Sequence, residues 1–370
     1  MDLTEASRQI VQLSRKARFA DTTMAEWTDR LSQLIAAQPG LSDPTVTDVR
    51  PVGTAAGGSN GTLLFNASWQ GPDGPERRGL VLRFLPAQGL FHDYNLKAQF
   101  ELQSSLHQTA IPVPGQLWLD VDGKYLVRPG YVMEQCEGTS PAMAWITDGI
   151  IADATPAERR TMTSNYVRTL AQIHSLDWRE IGLQWLEGRA EGTKPIEREV
   201  NWYWDGLLWC KDKEYKGRLA PIRDWLIANE PADCNIVLCH GDANLGNYLF
   251  KGTEISAVLD WEMAFLGAPE ADLVYLAIGD RILMDGLPRP EGVLSPREMY
   301  AEYEHYSGRK LGNIEYFELF TYFRLAIINV LCMKHFSPEV RGALMPIMAR
   351  GPELCFESAR SMGIRIEELS

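Results

Sequence analysis

The chain has 370 residues, 45% of them hydrophobic and 23% charged, with 36 basic against 49 acidic residues and a net charge of −13. This length exceeds what one hydrophobic core usually supports, so we expect two lobes. The acidic balance opposes binding to a phosphate backbone, so nucleic acid is not an expected partner, and nothing in the sequence indicates an oligomeric state.

Cysteine usage and apolar stretches indicate a cytoplasmic protein. None of the six cysteines forms a CxxC pair, which favours buried thiols in a reducing compartment over a disulfide framework or a zinc site. The first residues, MDLTEASRQI, lack the pattern of a secretion signal. The longest apolar stretch, Leu319–Met333, is interrupted by Arg324 and is too short to cross a bilayer. We interpret it as a buried helix and expect no membrane partner.

The predicted elements fall into three regions. Residues 4–37 have helical apolar spacing that ends before Gly40 and Pro44. From Val46, five strand-like runs follow: VTDVRPVG, GTLLFNASWQG, RGLVLRFLP, GQLWLDVDGKYLV and YVMEQ. One helical segment near Asp93–Gln108 interrupts them, and beyond Gly138 the spacing is mainly helical apart from one hairpin. We therefore predict an N-terminal helical extension over 1–44, a β-rich lobe over 45–135 and a helical lobe over 136–370, with a ligand site in the cleft between the lobes.

A glycine-rich loop lies between the first two strands. The run TAAGGSNGTLLF places Gly57, Gly58, Ser59, Asn60 and Gly61 together. Glycines let backbone N–H groups approach phosphate oxygens, and the Ser and Asn side chains add donors. No Gly-Lys-Ser/Thr follows, so this is not a Walker A loop. An ordinary glycine-rich hairpin is the alternative interpretation.

Two polar residues interrupt apolar positions downstream of this loop. Arg83 lies within the strand LVLRF, where a buried charge needs a partner such as a nucleotide phosphate. An edge-strand arginine that faces solvent is the alternative. On the helix, Gln99 falls on the apolar face with Leu96 and Leu106, which predicts a buried partner, and Arg83 is one candidate.

The segment VLCHGDANLGNYLFKGTEISAVLDWEMA, residues 237–264, has the pattern of a hairpin, with YLF and ISAVL flanking the turn KGTE. Asn247 precedes the first strand and Asp260 follows the second, so antiparallel pairing puts both at the open end. With the turn centred on Gly252–Thr253, Asn247 faces Val258, about 7 Å from Asp260. A carboxylate and an amide oxygen form a hard ligand set that suits magnesium.

Asp242 lies five residues before Asn247. The spacing D-x-x-x-x-N is that of a kinase catalytic loop, in which the Asp orients and deprotonates the attacking hydroxyl. Turn formation by Asp242 and Asn247, and capping by Asp260, are the structural alternatives.

These segments together resemble the aminoglycoside phosphotransferase and choline kinase-like family. The most specific are HGDANLGN and VLDWEMAFLGAPEADL, supported by GGSN, VLRF, IPVP, YVMEQCEG and LAQIHSLDW. The resemblance implies an α+β, two-lobed protein-kinase-like fold with a small antiparallel β-rich N-lobe, one helix in it, and a larger, mainly helical C-lobe. It also implies transfer of the γ-phosphoryl group of ATP or GTP, with Mg²⁺, to a hydroxyl of a small molecule.

By position, the resemblance implies that Asp242 is the catalytic base, Asn247 and Asp260 are magnesium ligands, and His240 braces the loop. In MEQCEG, it implies that backbone groups of Glu134 and Cys136 meet the purine edge.

Two nucleotide-site residues depart from the family pattern. Arg83 stands where the family has a phosphate-contacting Lys, and Gln99 stands where it has the Glu that pairs with that Lys. Because Gln carries no charge, the usual ion pair becomes at best a hydrogen bond. A nucleotide-binding pseudokinase with a regulatory role is therefore the alternative function. A metal-dependent hydrolase that uses His240, Asp242 and Asp260 is a second alternative.

The acceptor and the remaining residues stay open. The family shapes its acceptor pocket with the segment EREVNWYWDGLLWCKD, which makes Trp202, Asp205 and Trp209 candidates for substrate contact. The two Trp residues are seven apart on one helical face, and core packing is their alternative role. Glu262 is a candidate for metal or substrate contact or for a strand-end ion pair.

The resemblance also covers two further residues. His174 could be a ligand, but it is similar to a structural histidine of a core helix, and Asp272 is similar to an Asp that steadies the catalytic region, to which we assign no chemistry. Aminoglycoside-, choline- and hydroxyacyl-type acceptors are all compatible, the last because the sequence also resembles a branch fused to acyl-CoA dehydrogenases.

Overall fold

The computed structural model describes residues 22–52, 60–86, 89–142, 144–283, 287–335, 338–339, 341–342, 345 and 349–366. The chain divides into two compact units, Met1–Glu137 and Gly138–Ser370.

The N-terminal unit is built on one antiparallel sheet with strand order β1-β2-β3-β5-β4. Its strands are β1 Ser42–Pro51, β2 Gly61–Gly71, β3 Gly74–Phe84, β4 Gln116–Asp120 and β5 Gly130–Glu134, and its helices are α1 Met24–Ala36 and α2 Leu96–Leu106. Every other residue of β2 is buried from Gly61 to Trp69, as expected for a strand with one face on a core.

Helices α1 and α2 pack against opposite faces of β3. Helix α1 begins at a capping box between Thr23 and Glu26 and buries Trp27 in a cluster that includes Leu80 and Leu82. Helix α2 contributes Leu96 to a second cluster that includes Val81. Side chains alternate along a strand, so Arg83 is on the same face of β3 as Val81.

The C-terminal unit is mainly helical. Its helices are α3 Gly149–Ala152, α4 Pro156–Ser175, α5 Pro195–Trp209, α6 Lys213–Ala228, α7 Glu270–Leu283, α8 Pro296–Ser307, α9 Ile314–His335 and α10 Arg350–Ser361. Two short strand pairs complete it: β6 Val237–Cys239 with β9 Phe265–Gly267, and the hairpin of β7 Tyr248–Lys251 with β8 Glu254–Val258. Helix α9 packs against α5, α6, α7 and α10, so it forms the centre of this unit.

Helix α9 contains the apolar stretch that we predict to be a buried helix. Within the described part of the chain, Ile314–Lys334 is the one helical stretch with the length and apolarity to cross a membrane. Seventy-two per cent of its most apolar window is buried inside the fold. The helix is therefore buried, as predicted, but the prediction that this stretch is too short to cross a bilayer is wrong, because the helix extends over 21 residues.

Several predicted boundaries need correction. Strand β1 begins at Ser42 rather than Val46. Helix α2 is shorter than predicted because the Asn95 side chain accepts from the Ala98 N–H and caps its start. The predicted strand GQLWLDVDGKYLV ends at Asp120, whose carboxylate accepts from the N–H groups of residues 124, 125 and 126 and closes a turn. Residues 4–21 of the predicted N-terminal helix lie outside the described residues.

Candidate active site in the C-terminal unit

The β7–β8 hairpin turns at Gly252–Thr253, as predicted, but its register differs from the predicted one. Ser256 is an extra residue in β8, since Phe250 pairs with Ile255 whereas Leu249 pairs with Ala257. Tyr248 therefore faces Val258, and the Leu259 N–H donates to the Asn247 carbonyl at 2.8 Å. The prediction that Asn247 faces Val258 is wrong by one residue, and the bulge brings Asn247 one position closer to Asp260.

Two amide side chains hold the carboxylate of Asp242. Asn244 Nδ2 donates to Asp242 Oδ1 at 2.7 Å, and Asn247 Nδ2 donates to Oδ2 at 2.8 Å. Asn247 Nδ2 also lies 2.9 Å from the Asp242 backbone carbonyl. Because the amide nitrogen of Asn247 is directed to Asp242, its carbonyl oxygen is the atom it can offer to a cation. The sequence prediction missed Asn244, although its D-x-N spacing was visible.

Asp260 has an uncommon backbone conformation. Its φ of 65° and ψ of 57° lie in the left-handed region, which non-glycine residues rarely occupy. It caps a single 3₁₀ turn, Trp261–Met263, and is half-buried. Such conformations concentrate at functional sites, because the surrounding structure must compensate for their cost. The donor types of Asp260 and Asn247, a carboxylate and an amide oxygen, fit a magnesium ion.

His240 joins the two Asp-bearing loops. Its Nδ1 accepts from the Asp242 N–H at 3.2 Å, so Nε2 carries the proton and donates to the Leu259 carbonyl at 2.8 Å. The ring also packs against those of Tyr248 and Trp261. Both ring nitrogens are thus engaged within the protein, which disfavours the hydrolase alternative, in which His240 acts in the chemistry.

The buried Asp272 carboxylate holds the backbone of the loop that leads to Asp242. Its carboxylate accepts from the backbone N–H groups of His240 at 2.6 Å and Gly241 at 2.9 Å, and from His174 Nε2 at 3.1 Å. Burial opposes the charge of Asp272, but several interactions, led by the hydrogen bond with His174 and including that from the Gly241 N–H, together outweigh it and hold the pKa below its usual value. His174 in turn contacts the Tyr303 hydroxyl at 3.0 Å.

His174, Asp272 and Cys239 lie close enough to share a metal ion, with ligand atoms within 4.8 Å of one another. However, both nitrogens of His174 and both oxygens of Asp272 already make hydrogen bonds. Burial raises the pKa of the Cys239 thiol well above its ordinary value, which opposes the thiolate that a metal requires. We interpret the cluster as structural.

Gly241 fits this loop because it lacks a side chain. Its φ is +84°, and a Cβ there would lie 1.9 Å from the backbone oxygen of Met263. The loop before Asp242 and the turn after Asp260 are therefore in direct backbone contact.

The predicted phosphate-binding residues belong to the N-terminal unit. Gly57, Gly58 and Ser59 lie outside the described residues. Asn60 is buried, and its Nδ2 lies 3.5 Å from Gln99 Oε1. Arg83 is only 9% exposed, and its strand β3 is an interior strand between β2 and β5. The alternative of a solvent-facing edge arginine is therefore wrong, whereas pairing of Arg83 with Gln99 stays a prediction.

The predicted hinge follows strand β5. The Glu134 N–H donates to the Gly115 carbonyl at 2.9 Å, and the Glu134 side chain pairs with Arg78 at 3.1 Å. Burial, with a contribution from the charge of Glu134, raises the pKa of the Cys136 thiol. Contact between this segment and a purine stays a prediction.

The structure separates the candidates for acceptor contact. Trp202 is in the core of the C-terminal unit, where its ring lies 3.9 Å from the guanidinium carbon of Arg189. Trp209, the last residue of α5, is 43% exposed, and Asp205 is exposed as well. A shared helical face does not give equal burial, because the C-terminal end of α5 is less covered. Glu262 is half-buried in the turn after Asp260.

Comparison with known proteins gives three further findings. A sequence profile described as "Phosphotransferase enzyme family" matches residues 72–311. The acyl-CoA dehydrogenase family member 11 of Pongo abelii is 29% identical over 232 residues, which are 60% of this chain and 27% of that protein. The chain therefore matches about a quarter of the length of this relative.

Solved structures share the fold at low identity. A putative aminoglycoside phosphotransferase from Ralstonia eutropha has a TM-score of 0.65 and 21% identity, with 92% of this chain and 98% of that chain covered. An aminoglycoside phosphotransferase in ternary complex with AMP-PNP and hygromycin B has a TM-score of 0.53 and 16% identity, covering 90% and 98%.

Proposed function

Because this chain belongs to the phosphotransferase enzyme family, we propose that it transfers the γ-phosphoryl group of ATP or GTP to a hydroxyl group of a small molecule. One observation carries the proposal: the Asp242 carboxylate is held on both oxygens by Asn244 and Asn247, beside the loop that leads to Asp260.

In this proposal Asp242 orients the acceptor hydroxyl. Its oxygens receive amide hydrogen bonds from Asn244 and Asn247, and a carboxylate offers about four lone-pair sites, so it can still accept the hydroxyl proton. The acceptor oxygen attacks the γ-phosphorus, the bond to the β-phosphate oxygen breaks, and ADP or GDP leaves. The hydroxyl proton passes to Asp242. Fixed hydrogen bonds reduce the rotation of the carboxylate, so the base needs little rearrangement during the reaction.

We assign the magnesium site to the Asn247 carbonyl oxygen and the Asp260 carboxylate. When bound, magnesium neutralises the charge that develops on the phosphate oxygens. The protein supplies the orientation of these ligands: the Asn247 side chain is fixed through its nitrogen to Asp242, and the left-handed backbone of Asp260 fixes where its side chain starts.

We assign nucleotide contact to the N-terminal unit, through the glycine-rich loop, Arg83, Gln99, and the backbone of Glu134 and Cys136. The family position of Arg83 supports this assignment, because Arg83 stands where the family has a phosphate-contacting Lys. The fold neighbour solved with AMP-PNP supports a nucleoside triphosphate as the donor.

The acceptor is proposed as a small molecule of the aminoglycoside, choline or hydroxyacyl type. A neighbour of the same fold was solved with hygromycin B, which supports the first. The relatives named acyl-CoA dehydrogenase family member 11 support the third.

Coupled nucleotide consumption tests the proposal with these acceptors, magnesium, and either ATP or GTP. We expect turnover that depends on one acceptor class, and a fall in kcat of about 100- to 10,000-fold in Asp242→Asn, with nucleotide affinity retained. Asp224→Asn, which makes the same change at an exposed position, should leave kcat unchanged.

Unchanged turnover in Asp242→Asn would refute its role as the base. Nucleotide binding without transfer to any acceptor would favour the regulatory pseudokinase instead. That alternative is motivated by the neutral Gln99, which cannot form an ion pair with Arg83.

A further inference from the structure

The apolar helix α9 contains a buried arginine that contacts the proposed catalytic loop. Arg324 is completely buried, and its Nη2 donates to the Gly241 carbonyl at 2.6 Å and to the Tyr203 hydroxyl at 3.2 Å. Gly241 immediately precedes Asp242. The guanidinium therefore binds the backbone of the residue immediately before the proposed base.

Aromatic rings surround this guanidinium. Its central carbon lies 5.1 Å from the ring centroids of Tyr203 and Phe265, 5.3 Å from Phe320 and 5.6 Å from Tyr275. These distances are within the range of cation–π attraction, which is stronger where water is excluded. Burial raises the pKa of the Tyr275 hydroxyl well above its ordinary value, and the charge of Asp242 adds to this effect.

A buried carboxylate in α5 completes the arrangement. Glu199 is 2% exposed and pairs with Arg189 at 3.4 Å. Burial raises the pKa of Glu199, and the charges of Arg189 and Arg324 oppose that effect. Arg189 Nη1 donates to the carbonyls of Met263 and Ala264 at 3.1 and 2.7 Å. Arg324 thus contacts the backbone of the residue before Asp242, and Arg189 contacts the backbone three and four residues after Asp260.

The buried charges of Arg324 and Glu199 contribute little net free energy to folding. Nε and Nη1 of Arg324 and Oε1 of Glu199 are buried and make no hydrogen bond within the described residues. A buried ion pair whose groups are incompletely hydrogen-bonded is often no more stabilising than an apolar replacement of similar size. Stability alone therefore does not account for these charges, whereas contact with the backbone around the proposed base does.

We propose that Arg324 is a positioning residue that fixes the Gly241 carbonyl and thereby the orientation of Asp242. This inference rests on the proposed phosphotransferase function. Arg324 touches neither the acceptor nor the nucleotide in this account. It acts on the reaction through the backbone of the loop.

The test compares wild-type protein with Arg324→Met and with Arg324→Leu, in both of which Glu199 keeps its ion pair with Arg189. We expect kcat to fall about 10- to 100-fold in both variants, because a misplaced base loses alignment with its substrate. Nucleotide Kd should stay within about twofold of wild type, since the residues assigned to nucleotide contact belong to the N-terminal unit. Arg324→Lys, which keeps one donor near the carbonyl, should recover part of kcat.

Arg223→Met is the matched control. Arg223 also packs on a ring, that of Trp204 at 5.1 Å, and hydrogen-bonds Asn201, but it contacts no part of the catalytic loop in the described structure. We expect kcat of this variant to equal that of wild type. A wild-type kcat in Arg324→Met and Arg324→Leu would overturn the proposal. So would a loss of kcat accompanied by equal losses of nucleotide affinity and thermal stability, without recovery in Arg324→Lys.

Amide hydrogen exchange separates this inference from the proposed function. The Asp242 N–H donates to His240 Nδ1, so it reports the loop geometry without any turnover. We expect faster exchange at Asp242 in Arg324→Met, and unchanged exchange in Arg223→Met, even if wild-type protein phosphorylates none of the acceptors. Unchanged exchange in Arg324→Met would overturn the positioning role by itself.

Discussion

Replacement of Asp272 by Asn tests how the loop before the proposed base is held. The Asp272 carboxylate accepts three hydrogen bonds, from the backbone N–H groups of His240 and Gly241 and from His174 Nε2. Two of them share Oδ2 and the third uses Oδ1. Asparagine has a single carbonyl oxygen, so at least one of these donors would face an NH₂ group instead of an acceptor.

The magnitude follows from the burial of this site. Asp272 is completely buried, so a donor that loses its acceptor gains no compensating water. A buried unsatisfied donor costs about 1–3 kcal/mol, and the opposed NH₂ group adds to this, so we expect Asp272→Asn to destabilise the loop by roughly 2–4 kcal/mol. Proteins are stable by only about 5–15 kcal/mol in total, so this loss is large.

Hydrogen exchange is a suitable assay, because a chain of two units does not have to unfold in one step. The amides of His240 and Gly241 should exchange roughly 30- to 1000-fold faster in Asp272→Asn than in wild type. Asp224→Asn, at an exposed ion pair with Arg223, is the control and should change these rates little. Equal exchange in the two variants would refute the role assigned to Asp272.

Three further predictions concern the same loop. Gly241→Ala should abolish activity because its Cβ would lie 1.9 Å from a backbone oxygen, whereas Gly252→Ala, with φ +63° and open space, should cost only about 1–2 kcal/mol in denaturation experiments. Asn247→Leu should lower kcat and weaken magnesium dependence in steady-state kinetics, whereas Asn244→Leu should lower kcat alone; equal magnesium titrations would contradict the assignment. The pKa of Asp272 in the folded protein is below its ordinary 3.8, so at low pH the unfolded chain binds more protons at this residue. The contribution of Asp272 to folding stability is therefore complete above about pH 4 and is lost as the pH falls through the lower folded pKa. Urea midpoints measured from pH 6 to pH 3 should therefore fall less steeply in Asp272→Asn than in wild type, and identical slopes would contradict this account.

The family and the α+β kinase-like fold could be predicted from the sequence, and the comparisons confirm both predictions. The hairpin was accessible because antiparallel pairing places the residue before one strand beside the residue after the next. The register of the hairpin could not be predicted, because counting residues from the turn assumes one-to-one pairing. The extra residue Ser256 breaks that pairing and places Asn247 opposite Leu259. No simple periodicity signals such a bulge.

The supports of the loop could not be predicted because they come from distant parts of the chain. Arg324 is visible in the sequence only as a charge that interrupts an apolar run, and the carbonyl it binds lies 83 residues earlier. Similarly, the Tyr166 hydroxyl donates to the Ala243 carbonyl across 77 residues. The apolarity of α9 predicts that this helix is buried, but which backbone oxygen each of its side chains meets depends on tertiary packing.

The most direct test of the central claim is a crystal structure with AMP-PNP and Mn²⁺ in place of magnesium, in which anomalous scattering locates the ion. We predict an ion about 2.0–2.3 Å from the Asn247 carbonyl oxygen and the Asp260 carboxylate, with Asn247 Nδ2 still hydrogen-bonded to Asp242. An ion bound elsewhere, or Asn247 turned away from Asp242 in the complex, would contradict it.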